Sequence, residues 1–80
     1  MHISVLYFAG AKEAAGTPSE ELPLAGDTLS LSELSRMLVS RHPRLVLDGV
    51  RFAINEEFSA PDQLIFPGDV VAVIPPVSGG

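Results

Sequence analysis

The chain has no cysteine, so disulfide bonds, thiolate metal sites and cysteine-based sulfur chemistry are excluded. Basic residues are scarce, with five Lys and Arg against ten Asp and Glu, and the formal net charge is −5. This balance argues against nucleic acid and favours neutral or basic partners. No apolar run approaches the roughly 18 residues of a membrane span, and no basic leader precedes the first strand-like run. We therefore expect no membrane span, no signal peptide and a cytoplasmic location.

Eighty residues make one small domain, which buries only somewhat more than about 60% of its unfolded surface. A core of that size leaves little room for a deep catalytic pocket. The two histidines, His2 and His42, lie in separate segments without companion ligands, so no metal site is predicted.

The first quarter of the chain predicts two strands and a short helix. Residues 2–9 become apolar on both faces, which is typical of an interior strand. Residues 10–16 are rich in alanine and end at Gly16, a candidate helix C-cap. Residues 20–24 contain Pro23, which lacks an N–H, so we place this strand at a sheet edge with its glutamates, Glu20 and Glu21, in solvent.

The long helix is predicted to begin at a capping box. Ser30 and Glu33 have the Ser-x-x-Glu spacing in which each side chain caps the other residue's backbone N–H. One face of the turns that follow carries three leucines: Leu31, Leu34 and Leu38. The helix should end before His42-Pro43, because the residue before a proline disfavours helical geometry.

The second half predicts further strands. Residues 50–55 alternate and should have one buried face, residues 55–57 reverse the chain, and residues 62–66 form an apolar patch with no assigned element. A turn at residues 67–69 then leads into residues 70–74, which are apolar on both faces and therefore belong in the middle of a sheet.

This order of elements predicts an α+β fold of the β-grasp type over residues 1–74. We expect a mixed sheet of four to five strands crossed by one main helix, with a second, short helix. The first and last strands should be adjacent and parallel at the centre of the sheet.

The last six residues, 75–80, are predicted to form a flexible C-terminal arm. Pro75 and Pro76 cannot donate ladder hydrogen bonds, so the chain should leave the sheet in an extended conformation. Six residues at roughly 3.3 Å each reach about 20 Å, enough to enter another protein's active site. Gly79 and Gly80 carry no Cβ, so a narrow tunnel could admit them and a reagent could approach the terminal carboxylate.

Taken alone, Gly-Gly is more typical of a frayed end, a linker remnant or a truncation point than of a functional end. A strand that leads through Pro-Pro into this end favours a function. A carboxylate becomes a useful electrophile once one oxygen is a good leaving group, and adenylation by ATP is the usual route.

Four stretches of the chain resemble the small subunits of molybdopterin synthase, a family of ubiquitin-like sulfur carriers. They are VLYFAGAKEAAG at 5–16, the Asn55-Glu56 reversal, PGDVVA at 67–72 and IPPVSGG at 74–80. The Pro-Pro-Val-Ser-Gly-Gly ending is fairly specific for this family, whereas the PGD turn is shared with many relatives. The chain departs from the family at Lys12, where an arginine is common.

The resemblance implies a carrier cycle centred on Gly80. An ATP-dependent adenylating enzyme would activate this carboxylate, a sulfur donor protein with a persulfide would convert it to a thiocarboxylate, and the large subunit of molybdopterin synthase would take the sulfur for the dithiolene of molybdopterin. The chain would bind no cofactor itself and would be no enzyme alone. Without cysteine, any sulfur it carries must sit on a carboxylate.

The predicted catalytic positions are thus Gly79 and Gly80. The predicted partner-binding residues comprise the rest of the arm and two aromatic side chains, namely Pro75, Pro76, Val77, Ser78, Phe8 and Phe66. For the two phenylalanines, for Leu64 and for the outer face of residues 70–74, the sequence leaves open whether they belong to the core or to a partner-facing patch.

Three other functions fit the same residues. A thiamine-type sulfur carrier or a ubiquitin-like protein modifier would have the same fold, and conjugates on cellular lysines would indicate the modifier. An inert β-grasp interaction module would keep its activity after deletion of Gly79 and Gly80, whereas a carrier would bind its partner and transfer nothing.

Overall fold

Strands dominate the computed structural model, which describes residues 1–76. The end of the predicted arm, Val77, Ser78, Gly79 and Gly80, lies outside the described residues. The elements in chain order are β1 (His2–Tyr7), α1 (Ala9–Ala15), β2 (Ser19–Pro23), β3 (Leu29–Ser30), α2 (Leu31–Arg41), β4 (Arg51–Ile54), β5 (Glu57–Phe58), β6 (Leu64–Ile65) and β7 (Val70–Ile74).

Five of these strands form one mixed sheet in the order β2-β1-β7-β4-β5. β1 and β7 are parallel and adjacent at its centre, with Val5 opposite Val71, while the other pairs are antiparallel. β2, the strand that contains Pro23, lies at an edge, where a residue without an N–H is tolerated. The predicted β-grasp topology is therefore confirmed.

Helix α2 covers one face of the sheet and begins as predicted. The Glu33 N–H donates to Ser30 Oγ at 3.1 Å, and the Ser30 N–H donates to Glu33 Oε1 at 3.1 Å. The Ser30 N–H holds the pKa of the Glu33 carboxyl below its ordinary value. The three predicted leucines of α2 are all buried in the core, along with residues of β1, β2, β6 and β7.

The structure corrects the predicted end of β1 and the predicted burial of β4. β1 ends at Tyr7 and not at Ala9, because Ala9 has a φ of 50° and starts α1. β4 was predicted to have one buried face, yet Ala53 and Ile54 are both buried. Ile54 faces the core, while Ala53 is a small residue that pairs with Phe58 on one side and Ala72 on the other.

A second, two-stranded sheet was not predicted. β3 pairs antiparallel with β6, and Leu29 lies opposite Ile65. Ile65 is fully buried, so the apolar patch of residues 62–66 anchors to the start of α2 through this pair. Two-residue strands are too short to show a sequence period, which is why the pattern gave no sign of them.

None of the described helices is long and apolar enough to cross a membrane.

Candidate functional site

An apolar groove lies on the face of the sheet opposite α2. The side chains of β7 alternate: Val71 and Val73 are fully buried in the core, and the other three point to the opposite face, where they are partly exposed. The groove has a volume of about 580 Å³. It is lined by Leu6, Phe8, Ala53, Asn55, Glu56, Phe58, Val70, Ala72 and Ile74.

Two aromatic side chains of the groove are exposed. Phe8, which follows β1, is 48% exposed, and Phe58, on β5, is 57% exposed. The Arg51 guanidinium lies 3.6 Å from the centre of the Phe58 ring, a cation–π contact that places a positive charge beside the groove. Exposed aromatic rings grouped with apolar neighbours are typical of a surface that another protein covers.

The groove leads to the root of the predicted arm. The antiparallel pairing of β4 with β7 places Arg51 opposite Ile74 and Ile54 opposite Val71. The Arg51 end of the groove is therefore the end at which the chain leaves the sheet, through half-buried Pro75 and exposed Pro76. The lining residue Glu56 lies at the far end, beyond Ile54.

A side-chain network closes that far end. Asn55 and Glu56 both have positive φ, 51° and 71°, as a two-residue turn of type I′ requires. Asn55 Nδ2 donates to Asp69 Oδ1 at 2.9 Å, and the Val70 N–H donates to Asn55 Oδ1 at 3.0 Å. Asp69 Oδ2 in turn accepts from the Phe66 N–H at 2.8 Å. The network thus joins the Asn55-Glu56 reversal to the PGD turn, two motifs that the sequence showed only separately.

The predicted partner-binding residues are only partly brought together. Phe8 lines the groove, and Pro75 and Pro76 lie next to it in the chain. Phe66 and Leu64 are 51% and 49% exposed, but neither is among the residues that line the groove. None of Phe8, Phe66 and Leu64 is part of the core, so the alternative of core residues does not hold for them. Their binding role stays a prediction.

Sequence reasoning missed Phe58 as a groove residue. The signal was present in the hairpin: a two-residue turn at Asn55 and Glu56 places Phe58 directly opposite Ala53. Residues opposite each other in an antiparallel pair share a face. Phe58 therefore had to project to the same side as Ala53 and the outer residues of β7.

A second polar cluster lies at the other edge of the sheet, around Glu20. Glu20 Oε1 accepts from the Tyr7 hydroxyl at 3.2 Å and from Arg41 Nε at 3.2 Å, and lies 3.1 Å from His42 Nε2. The prediction of a solvated Glu20 was wrong, since its side chain is only 16% exposed. The cluster ties β1 and β2 to the end of α2, where His42 also packs edge-on against the Tyr7 ring.

The pKa values in this cluster are shifted by its partners. Burial, and then the negative charge of Glu20, raise the pKa of Tyr7 far above its ordinary value. Burial alone would raise the pKa of Glu20, but the hydrogen bonds from His42, Arg41 and Tyr7 and the charge of His42 outweigh it and hold that pKa below its ordinary value. The cluster holds no nucleophile near the arm, so we assign it to stability.

Within residues 1–76, no group of three His, Asp or Glu side chains is arranged to hold a metal ion. The main feature of the described part of the chain is the apolar groove that runs into the start of the arm.

The comparisons with known proteins agree with this geometry. The profile described as the ThiS family matches residues 5–80. A curated relative from Chlamydomonas reinhardtii, named molybdopterin synthase sulfur carrier subunit, is 39% identical over 100% of both chains.

Two solved structures match over 100% of both chains. SAMP1 from Haloferax volcanii superimposes with a TM-score of 0.82 at 27% identity. A chain in the complex of subunits 1 and 2 of the molybdopterin-converting factor from Helicobacter pylori superimposes with a TM-score of 0.70 at 23% identity, a likeness of fold. Because the family profile matches nearly the whole length of this chain, the chain belongs to the ThiS family, and its predicted relationship to the sulfur carrier subunits of molybdopterin synthase is confirmed.

Proposed function

We propose that the chain acts as the sulfur carrier of a molybdopterin synthase, with Gly80 as the residue that carries the sulfur. The observation that supports this most directly is the position of the groove. Its lining ends at Ile74, and the next residues are the two prolines that lead to the terminal Gly-Gly. A partner that covers the groove therefore has the C-terminal carboxylate within reach of its own active site.

The chemistry proceeds on the carboxylate of Gly80. Attack of this carboxylate on the α-phosphorus of ATP in an activating enzyme forms an acyl adenylate and releases pyrophosphate. The outer sulfur of a protein persulfide then attacks the acyl carbon and AMP leaves, which forms an acyl disulfide. A second thiol attacks the donor protein's sulfur of that S–S bond, so the thiocarboxylate is released and the two thiol sulfurs end as a disulfide. ATP is a substrate of the activating enzyme, so the chain itself needs no bound cofactor. Glycine at position 80 leaves the acyl carbon open to each attack.

Two kinds of partner use the carrier. The large subunit of molybdopterin synthase takes the sulfur, a role supported by the Helicobacter pylori relative, whose structure is a complex of subunits 1 and 2. The adenylating enzyme loads the carrier before that step. Both need the same carboxylate in their active sites, so the two complexes exclude each other and the carrier shuttles between them in the cytoplasm.

Intact-mass spectrometry tests this function. The chain is incubated with a competent adenylating enzyme, ATP and a persulfide donor, and the expected product is heavier by one oxygen-to-sulfur exchange, located at Gly80 by fragmentation. A variant extended by a few residues beyond Gly80 has no free carboxylate at that position and should not react. An unchanged mass of the natural chain, in an assay that loads another carrier, would refute the proposal.

A protein modifier is the second candidate, because the fold closely matches that of SAMP1 from Haloferax volcanii, whose full name is small archaeal modifier protein 1. A modifier would form isopeptide bonds through Gly80, and denaturing purification of a tagged chain from its own cells would recover conjugates. An inert interaction module would keep its binding and its cellular function when Gly79 and Gly80 are deleted. A carrier would keep binding, lose transfer and leave no conjugates.

A further inference from the structure

The two prolines at the root of the arm run alongside the body of the protein. The last paired residues of β4 and β7 are Arg51 and Ile74. Continuing the antiparallel register places Pro75 opposite Val50 and Pro76 opposite Gly49. Proline cannot donate to the ladder, so the hydrogen-bonded pairing stops there, yet the chain still follows its neighbour.

Pro76 rests on Gly49. A Cβ added to Gly49 would lie 3.3 Å from Cγ of Pro76, 3.7 Å from its Cδ and 3.8 Å from its Cβ. The first distance is shorter than the optimum of about 3.5 to 4.0 Å for two carbon atoms. Gly49 is therefore the residue whose missing side chain makes room for the proline ring. Among the described glycines, Gly49 is the only one at which an added Cβ would have another atom within 4 Å.

The turn that contains Gly49 is held in place by a backbone hydrogen bond and by packing against the core. The Val50 N–H donates to the Leu47 carbonyl at 3.1 Å, which closes a turn with Asp48 and Gly49 at its centre. Gly49 has a φ of 73°, a value that glycine adopts without strain. Leu47 and Val50, the two ends of the turn, both pack against the hydrophobic core. The turn is thus fixed to the body on both sides of the point that Pro76 touches.

We propose that Gly49 is a positioning residue for sulfur transfer: it seats Pro76 and so fixes the direction in which the arm leaves the body. This inference rests on the proposed carrier function. With Pro76 seated, only residues 77–80 extend beyond the body, and four residues span at most about 13 to 14 Å. The large subunit's reaction centre must then lie within that distance of Pro76, and a small change in the seat moves Gly80 relative to it.

A first experiment tests the contact without any sulfur chemistry. In solution NMR of the natural chain, we expect nuclear Overhauser effects between the Gly49 α-protons and the ring protons of Pro76. Gly49→Ala should shift the Pro76 ring resonances, because the ring must move by a few tenths of an ångström. Gly16→Ala is the matched control: Gly16 has a φ of 76°, so its backbone strain is equal, and nothing lies within 4 Å of its added Cβ. Absence of the effects in the natural chain, or equal Pro76 shifts in the two variants, overturns the inference.

A second experiment measures the consequence for transfer. All three chains are prepared as thiocarboxylates, and single-turnover transfer is followed with saturating large subunit. We expect Gly49→Ala to lower the transfer rate constant about tenfold, since small misplacements of a reacting group are costly, while Kd changes by less than about twofold. Gly16→Ala, which carries the same kind of backbone strain without the contact to Pro76, should lower the melting temperature and leave transfer unchanged. Equal transfer rates for the two variants would refute the positioning role. A natural chain that transfers no sulfur would instead refute the carrier function, and the NMR result would still decide whether Gly49 seats the arm.

Discussion

Replacing Phe8 with alanine should separate docking from folding. Phe8 lines the groove and is 48% exposed, and it is not part of the hydrophobic core. If the large subunit covers the groove, the exposed half of this ring becomes buried in the complex. Phe8→Ala should therefore weaken binding, whereas loss of the half of the ring that is already buried in the free chain should lower the free energy of unfolding by no more than about 2.5 kcal/mol and leave the chain folded.

The size of the effect follows from the exposed area. An aromatic side chain can bury about 150 to 250 Å², so the exposed half of Phe8 corresponds to about 100 Å². At about 25 cal/mol per Å², its burial contributes about 2.5 kcal/mol, equivalent to roughly a 60-fold change in Kd. Partial burial in the complex would reduce this value. We therefore expect a loss of between about 10-fold and 60-fold in affinity.

Calorimetric titration of the purified large subunit measures this loss directly. Val39→Ala serves as the control, because Val39 is 43% exposed on α2, on the opposite side of the sheet from the groove. The control should bind within about twofold of the natural chain. Equal affinities for Phe8→Ala and the natural chain, with both proteins folded by circular dichroism, would show that the groove is not the docking surface.

Three further predictions concern the two side-chain networks, the one around Asn55 and the one around Glu20. Asn55→Ala should lower the free energy of unfolding by about 2 to 3 kcal/mol in chemical denaturation, because it removes two hydrogen bonds and places alanine at a φ of 51°. Asn55→Gly should recover about 1 kcal/mol of this loss, because glycine adopts that φ without strain. Equal losses for the two variants would show that the positive φ of residue 55 costs alanine nothing. The pKa of Glu20 is lowered in the folded state, so its contribution is present above the unfolded value of about 4.3 and is lost as the pH falls through the folded value. The melting temperature of Glu20→Gln should therefore fall less between about pH 5 and pH 2 than that of the natural chain, and parallel curves would exclude this role. The pKa of Tyr7 is raised in the folded state, so the stabilisation that Tyr7 contributes is fully present below its unfolded pKa of about 10 and is lost at higher pH. The absorbance of this single tyrosine should therefore show no tyrosinate at about pH 10 while the chain is folded. A titration midpoint near pH 10 would refute the shift.

The parts of the fold that were predicted correctly depend on neighbours in the sequence. The capping box of Ser30 and Glu33 spans four residues, and the apolar run of residues 70–74 marks a central strand by itself. The short strands β3 and β6 were missed because each has two residues, and their pairing joins segments that are far apart in the chain.

The Glu20 cluster shows the same limit for side chains. Glu20 is separated by 13 residues from Tyr7 and by 22 residues from His42, so no local pattern connects them. Two adjacent glutamates on an edge strand are usually solvated, and the expectation failed for Glu20 alone, because the end of α2 brings Arg41 and His42 to it. Glu21, the next residue, is exposed as expected.

The candidate site also has a part that local residues determine and a part that depends on contacts between distant segments. The arm was predicted from its own residues, since Pro-Pro and Gly-Gly act through their own backbone geometry. The groove is formed by three strands, β1, β4 and β7, and by the hairpin that brings Phe58 beside them. Because these segments are distant in the chain, the sequence indicated only that the sheet had more apolar residues than one helix could cover. The seat of Pro76 on Gly49 needs the register of β4 against β7, which no single segment reveals.

In the proposed carrier, the groove that binds the partner and the arm that reacts are separate parts of the chain. Binding through the groove makes the arrival of Gly80 at the reaction centre an intramolecular event, and short tethers give effective concentrations in the millimolar range. The arm therefore needs little affinity of its own, and its last residues can be as small as glycine without loss of binding. Affinity then stays with the body, where Phe8, Phe58 and Arg51 lie, while reactivity stays at the terminus. If the carrier works in this way, a partner that recognises the body would accept the carboxylate, the adenylate or the thiocarboxylate equally, and the chemical state of Gly80, not the docking surface, would decide which reaction follows.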